Sequence, residues 1–99
     1  MKKTNAVSDN KQKHQFEMPL DENKLAFIQY KKTDGGVLAL THTEVPEEFE
    51  GQGIGSVLVK GMLEIVRTAE LKIAPECPFI AAYLQRHPEH QELIATAPS

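Results

Sequence analysis

Apolar and polar residues begin to alternate at residue 13. His14, Phe16, Met18 and Leu20 share one face and Gln15 and Glu17 the other, a period of two that predicts a half-buried strand over 13–20. The polar run Asp21-Glu22-Asn23-Lys24 predicts a turn, and Phe, Ile and Tyr within 25–32 predict a second strand. Asp34-Gly35-Gly36 tolerates the positive φ of a tight hairpin, so a third strand over 37–45 folds straight back on the second. It opens with four apolar residues, Val37-Leu38-Ala39-Leu40, as in a strand covered on both faces, and is placed at the sheet centre. Regular pleating puts His42 and Glu44 on the face of Leu38 and Leu40, with Thr41, Thr43 and Val45 continuing the face of Val37 and Ala39.

Pro46 removes a ladder donor, and Gly51-Gln52-Gly53-Ile54-Gly55-Ser56 forms a glycine-rich turn. A helix begins inside that turn, because Ile54, Leu58, Met62, Ile65, Val66 and Ala69 recur at three- and four-residue intervals, with Lys60, Glu64 and Arg67 on the solvated side. Gly61 weakens that helix by about 1 kcal/mol unless it lets another backbone approach. Residues 71–74 form a short apolar strand, which a right-handed crossover places parallel to the third. Pro75-Glu76-Cys77-Pro78 interrupts regular structure. Helical spacing resumes over 79–86 with Phe79, Tyr83 and Leu84 on one side, and after Pro88 residues 87–95 allow a short last helix. Residues 1–12 carry almost nothing apolar and read as a flexible tail, and 96–99 as a frayed end. The pattern is therefore α/β: a mixed, mostly antiparallel sheet with packed helices, in one domain over 13–95.

A length of 99 residues leaves room for one core. Eleven Lys and Arg against fourteen Asp and Glu give a net charge of −3, which argues against a surface that works by neutralising nucleic-acid phosphates. Cys77 is the sole cysteine, and no apolar run reaches the length of a signal or bilayer segment, so the expected compartment is cytoplasmic, without membrane association. His14, His42, His87 and His90 lack metal-ligand spacing, and no metal is expected.

A strand, a glycine turn and a helix start gather backbone N–H groups at one spot, where a phosphate can come close and gain from the helix dipole. A Walker A loop needs Gly-Lys-Ser/Thr, whereas Gly55 is followed by Ser56-Val57 and Lys60 comes too late. A dinucleotide fold needs several βαβ units, which this chain cannot supply. Coenzyme A is the third option. The run from Thr43 through Val45-Pro46 to Gly51-Gln52-Gly53-Ile54-Gly55-Ser56 resembles the central Arg/Gln-x-x-Gly-x-Gly/Ala motif of the GNAT N-acetyltransferase superfamily. Together with Cys77-Pro78-Phe79 and the stretch from Tyr83 to Pro88, it resembles the minimal, single-domain GNAT-like type.

The resemblance implies acetyl-CoA as cosubstrate and an amine, small or on a protein, as acceptor. It places the backbone of Thr43 and Val45 against the pantetheine amides and Gly51, Gln52, Gly53, Ile54, Gly55 and Ser56 around the pyrophosphate. Cys77 falls near the thioester, either as a nucleophile that accepts the acetyl group or as plain core. His42, on the strand beside it, is its expected partner and general base, and Glu44 is an alternative base. Tyr83 falls where many GNAT enzymes protonate the leaving thiolate, with core packing as the other reading, and Arg86 and His87 could meet the adenosine phosphate. The motif's Arg/Gln position holds Glu50, which would repel a diphosphate unless it faces solvent. A coenzyme A binding module without turnover, and a small interaction domain, stand as alternatives; acceptor identity and oligomeric state stay open.

Overall fold

A computed structural model describes residues 6–95. Its elements are β1 (Ser8–Asn10), β2 (Gln15–Pro19), β3 (Leu25–Lys32), β4 (Val37–Glu44), α1 (Ile54–Thr68), β5 (Lys72–Pro75) and α2 (Pro78–Arg86), with a 3-10 segment at Pro88–Leu93 where a last helix was expected. The strands lie in chain order in one sheet. The first three pairings are antiparallel. The last, β4 with β5, is parallel, as the crossover through α1 requires. The sheet is mixed as predicted, but β3 rather than β4 is central.

Period two in β2 and β3 turns Phe16, Met18, Ala26, Ile28 and Tyr30 toward the core, where they meet Leu38 and Leu40 of β4 and Ile73 of β5. Helix α1 covers this face with Leu58, Val59, Met62, Leu63 and Val66, and α2 adds Ile80, Tyr83 and Leu84 to the same core. Three details differ from the periodic reading. Val59 and Leu63 belong to the buried stripe while Ala69 caps the helix in solvent. Phe79 turns out of the core, with Ile80 in its place. His14 lies outside β2 at φ 55° and stacks on Tyr30 at 5.6 Å.

Two further corrections bear on the site. Residues 8–10, inside the expected tail, pair with β2 as an edge strand. The Tyr30 hydroxyl donates to Asp9 Oδ1 at 2.7 Å, and Val7 packs against Gly61 of α1. Polar strands of three residues give no periodic signal, so their docking is invisible to pattern. Residues 1–5 and 96–99, also read as unstructured, lie outside the described residues. The second correction is a β-bulge. Gln29 opposes His42 but Tyr30 opposes Leu40, which leaves Thr41 as an extra residue in β4. One inserted residue reverses every later side chain. Thr43 therefore joins Leu40 on the core face, opposite Ile28, while His42 and Glu44 move to the other face beside Gln29 and Phe27.

Candidate active site

Strand β4 pairs with β3 as far as Glu44 but with β5 only as far as Leu40. Beyond that point the Leu40 carbonyl accepts from the N–H groups of Glu76 and Cys77, at 3.0 and 2.9 Å, and the chain turns into α2. The two parallel strands thus part, and residues 41–44 have no strand partner on that side among the described residues. Past Pro46, a 3-10 turn at Glu47–Phe49 returns the chain toward the head of α1.

A groove of about 400 Å³ opens at this fork. Thr43 and Val45 form one wall and Gly51, Gly53, Ile54, Gly55 and Ser56 the other. These are seven of the ten residues expected to hold the coenzyme. Gln52, Tyr83 and Arg86 are not in the lining. Tyr83 is buried and stacks on His87 at 4.3 Å, Arg86 is exposed at the end of α2, and Gln52 is exposed beside the turn. The groove also takes Phe49, Glu50 and Phe79, of which only Glu50 carried a signal in the sequence. The Phe79 ring, 42% exposed, lies so close to Gly55 that a Cβ there would come within 2.7 Å of it.

Gly53 is the N-cap of α1, at φ 75°, and no side chain caps the helix. The first-turn N–H groups, which have no acceptor within the helix, therefore face the groove without a competing side-chain oxygen. That arrangement fits a phosphate ester: backbone donors, the positive end of a helix dipole, and space that a capping Ser or Asp would otherwise fill. Val45, Phe49, Ile54 and Phe79 supply apolar wall for an uncharged chain next to it.

Cys77 is the N-cap of α2 and only 6% exposed. Its Sγ lies 3.3 Å from Thr43 Oγ1. Burial pushes the thiol pKa up, but the Thr43 hydroxyl, the backbone N–H groups of Ile80 and Phe79 at the start of α2, and that of Thr43 outweigh it and hold the pKa below the ordinary cysteine range. Thr43 both lines the groove and touches the thiol, whereas Cys77 itself is not in the lining. His42 is not brought to Cys77. It lies on the opposite face of the sheet, where its Nε2 is 2.8 Å from Glu44 Oε1 and its ring is 6.3 Å from that of Phe27. Both His42 and Glu44 are about half exposed. Cross-strand register continues this face with Glu17, which accepts from Asn10 Nδ2 at 2.9 Å and from Gln15 Nε2 at 2.6 Å. Among the described residues there is no cluster of His, Cys, Asp or Glu placed to hold a metal, and no helix is long and apolar enough to cross a membrane.

The family model for GCN5-related N-acetyltransferases matches residues 15–93. The protein NATD1 of Mus musculus is 31% identical over 93 residues, covering 93% of this chain and 84% of its own length. NATD1 of Gallus gallus is 31% identical over 88 residues, covering 88% of this chain and 80% of its own length. The solution structure of a GCN5-like protein from Staphylococcus aureus matches with a TM-score of 0.69 and 30% identity, covering 93% of this chain and 89% of that chain. A five-stranded sheet that forks at a glycine-turned helix start, and a family match spanning β2 to β5 and both helices, lead to one conclusion: the chain belongs to the GCN5-related N-acetyltransferase family.

Proposed function

We propose that the chain is an N-acetyltransferase that moves an acetyl group from acetyl-CoA to an amine. The observation that carries this reading is the groove in the β4–β5 fork, with an uncapped helix start on one side and a strand edge without a partner on the other. The N–H groups at the head of α1 hold the diphosphate, and the main chain around Val45 orients the pantetheine arm along the free edge of β4. The amine nitrogen attacks the thioester carbonyl carbon, the carbon–sulfur bond breaks, and coenzyme A leaves with the electron pair and takes up a proton.

The ammonium form of an acceptor must first lose a proton, and His42 and Glu44, hydrogen-bonded to each other on the open face, are positioned to take it there. Their placement away from Cys77 favours direct transfer. Cys77 keeps a second route, in which its thiolate accepts the acetyl group before the amine does, and the hydrogen bonds from Thr43 and the α2 start support that chemistry. A coenzyme-binding module without turnover is favoured by one feature, the acidic residue Glu50 in the groove lining.

The test is coenzyme binding followed by thiol release from acetyl-CoA with a panel of amines. A rise in melting temperature with coenzyme A and amine-dependent release are expected, and at a hundred times the dissociation constant binding should stabilise the fold by about 2.7 kcal/mol. No thermal shift at saturating coenzyme would refute the reading, while binding without release would leave the module. Intact mass after incubation with acetyl-CoA alone separates the routes, since an acetylated Cys77 requires the covalent one.

A further inference from the structure

Among the described residues the groove that fits a diphosphate has no Lys, Arg or His in its lining, and the one acidic residue there, Glu50, is exposed at its rim. Attraction for an anion there comes from main-chain N–H groups, the hydroxyls of Ser56 and Thr43 and a helix end worth roughly half a positive charge, with no cationic side chain among them. No charged side chain on α1 adds to it or subtracts from it locally, because the first turn of the helix carries no acidic residue and Lys60 is exposed one turn farther on. Two of the neighbouring glutamates are engaged elsewhere, and the third, Glu47, is exposed. Glu48 pairs with Lys24 at 3.0 Å and Glu44 binds His42, whereas among the described residues no cation pairs with Glu50. The whole chain is acidic as well, with a net charge of −3.

We propose that Glu50 sets the charge preference of the donor site: its carboxylate opposes the diphosphate that the α1 start attracts, so that coenzyme A binds more tightly as the carboxylate is screened or removed. This rests on the acetyl-CoA reading and specifies how that site selects its ligand. The affinity comes from short-range N–H contacts and the apolar pantetheine wall, and the longer-range field works against it. A site built on Lys or Arg loses affinity as salt is added. This one gains affinity, because added ions weaken the repulsion by Glu50 and by the acidic chain more than they weaken contacts at hydrogen-bond distance.

The experiment is calorimetric titration of coenzyme A into the wild-type chain, Glu50→Gln and Glu50→Arg. It is run from about 10 mM to about 150 mM NaCl, which shortens the Debye length from about 30 to about 8 Å. The expected result is that Glu50→Gln binds roughly three- to tenfold more tightly at low salt, the order of effect that one unit charge has on a doubly charged group lining the same groove in a largely aqueous medium. Glu50→Arg extends the gain, the advantage of both variants narrows at the higher salt, and wild-type affinity itself rises with salt. An equal affinity for Glu50→Gln and wild type at low salt overturns the proposal, as does a gain that is the same at both salt concentrations, since packing rather than charge would then be its cause. If none of the three proteins binds coenzyme A at either salt concentration, the acetyl-CoA reading itself falls. Binding by the wild type with no response to Glu50 removes only the role given to this residue.

Discussion

Removing the Thr43 hydroxyl isolates one of the interactions that tune Cys77. Thr43→Val keeps the volume and the β-branched shape but withdraws the donor 3.3 Å from Sγ, leaving the main-chain N–H groups of Ile80, Phe79 and Thr43 in place. A hydrogen bond to an ionised group is worth about 1.5–3 kcal/mol, and about 1.36 kcal/mol moves a pKa by one. Because three donors remain, the lower end of that range applies, and the thiol pKa should rise toward its ordinary value. The assay is a titration of thiolate absorbance. The chain has one cysteine, so a Cys77→Ser blank isolates the signal, and Thr43→Ser should restore the wild-type curve. The same shift appears in stability, with its sign fixed by linkage. The folded thiol titrates below its ordinary value of 9.0, so its stabilising contribution is full above that pH and is lost as pH falls through the folded value. The stability gap between Thr43→Val and wild type should therefore widen from pH 6 to above pH 9. Superimposable thiolate curves for the two proteins would refute the tuning.

Three other substitutions test the frame around the groove. Gly53→Ala meets no atom within 4 Å, so its cost is that of a left-handed backbone, about 1–2 kcal/mol in urea unfolding; an unchanged midpoint would deny the N-cap conformation. In Gly61→Ala the new Cβ would lie 2.4 Å from Val7 Cγ2 and 2.7 Å from its Cβ, so overpacking of about 1–3 kcal/mol outweighs the helix-propensity gain of about 1. Val7→Gly in the same chain, which removes both of those atoms, should recover most of the overpacking, and strictly additive effects in that double-mutant cycle would mean that Val7 is not docked there. Tyr30→Phe deletes the 2.7 Å bond to Asp9 and should cost about 1 kcal/mol, with faster amide exchange in Ser8–Asn10; unaltered exchange there would detach β1 from Tyr30.

Strands β2 and β3 and both helices were legible in the chain because each buries one face, which writes a period of two or of three to four into the residues, whereas β4 and β5 were legible as short apolar runs. The groove was legible for a related reason. Three glycines in five positions exceed what a helix cap needs, and the structure uses Gly53 for its backbone angle and Gly55 for the approach of Phe79. Other features leave no trace in periodicity. β1 is three polar residues held by its partners, and Val7 against Gly61 is a contact across the whole domain. Thr43 and Cys77 are 34 residues apart and meet only because β4 and β5 part beyond Leu40. Tyr83 and Arg86 were assigned through the likeness to a family, and local packing sends one into the core and the other to solvent.

The extra residue at Thr41 carries the consequence that reaches furthest. In a regular strand His42 and Glu44 would join Leu40 on the core side, and Thr43 would point away from Cys77. With the bulge, the core side of β4 keeps Thr43, which reaches both the groove and the Cys77 thiol, and the open side receives the hydrogen-bonded His42–Glu44 pair next to Phe27. Under the proposed reaction one strand divides two tasks between its faces, the thioester donor on one and the removal of a proton from an amine on the other. Deleting the extra residue should leave that division intact, since Leu40, His42 and Thr43 then alternate regularly, with His42 still opposite Gln29 and Thr43 still opposite Ile28. In a chain with Thr41 deleted, Thr43 should stay beside the Cys77 thiol and His42 on the open face. The expected readouts are a thiolate titration and an acetyl transfer that match the wild type in a protein that still melts cooperatively. A raised thiol pKa in such a chain would show that Thr43 had left the core face and that the pairing with β3 is not what divides the two sides of β4.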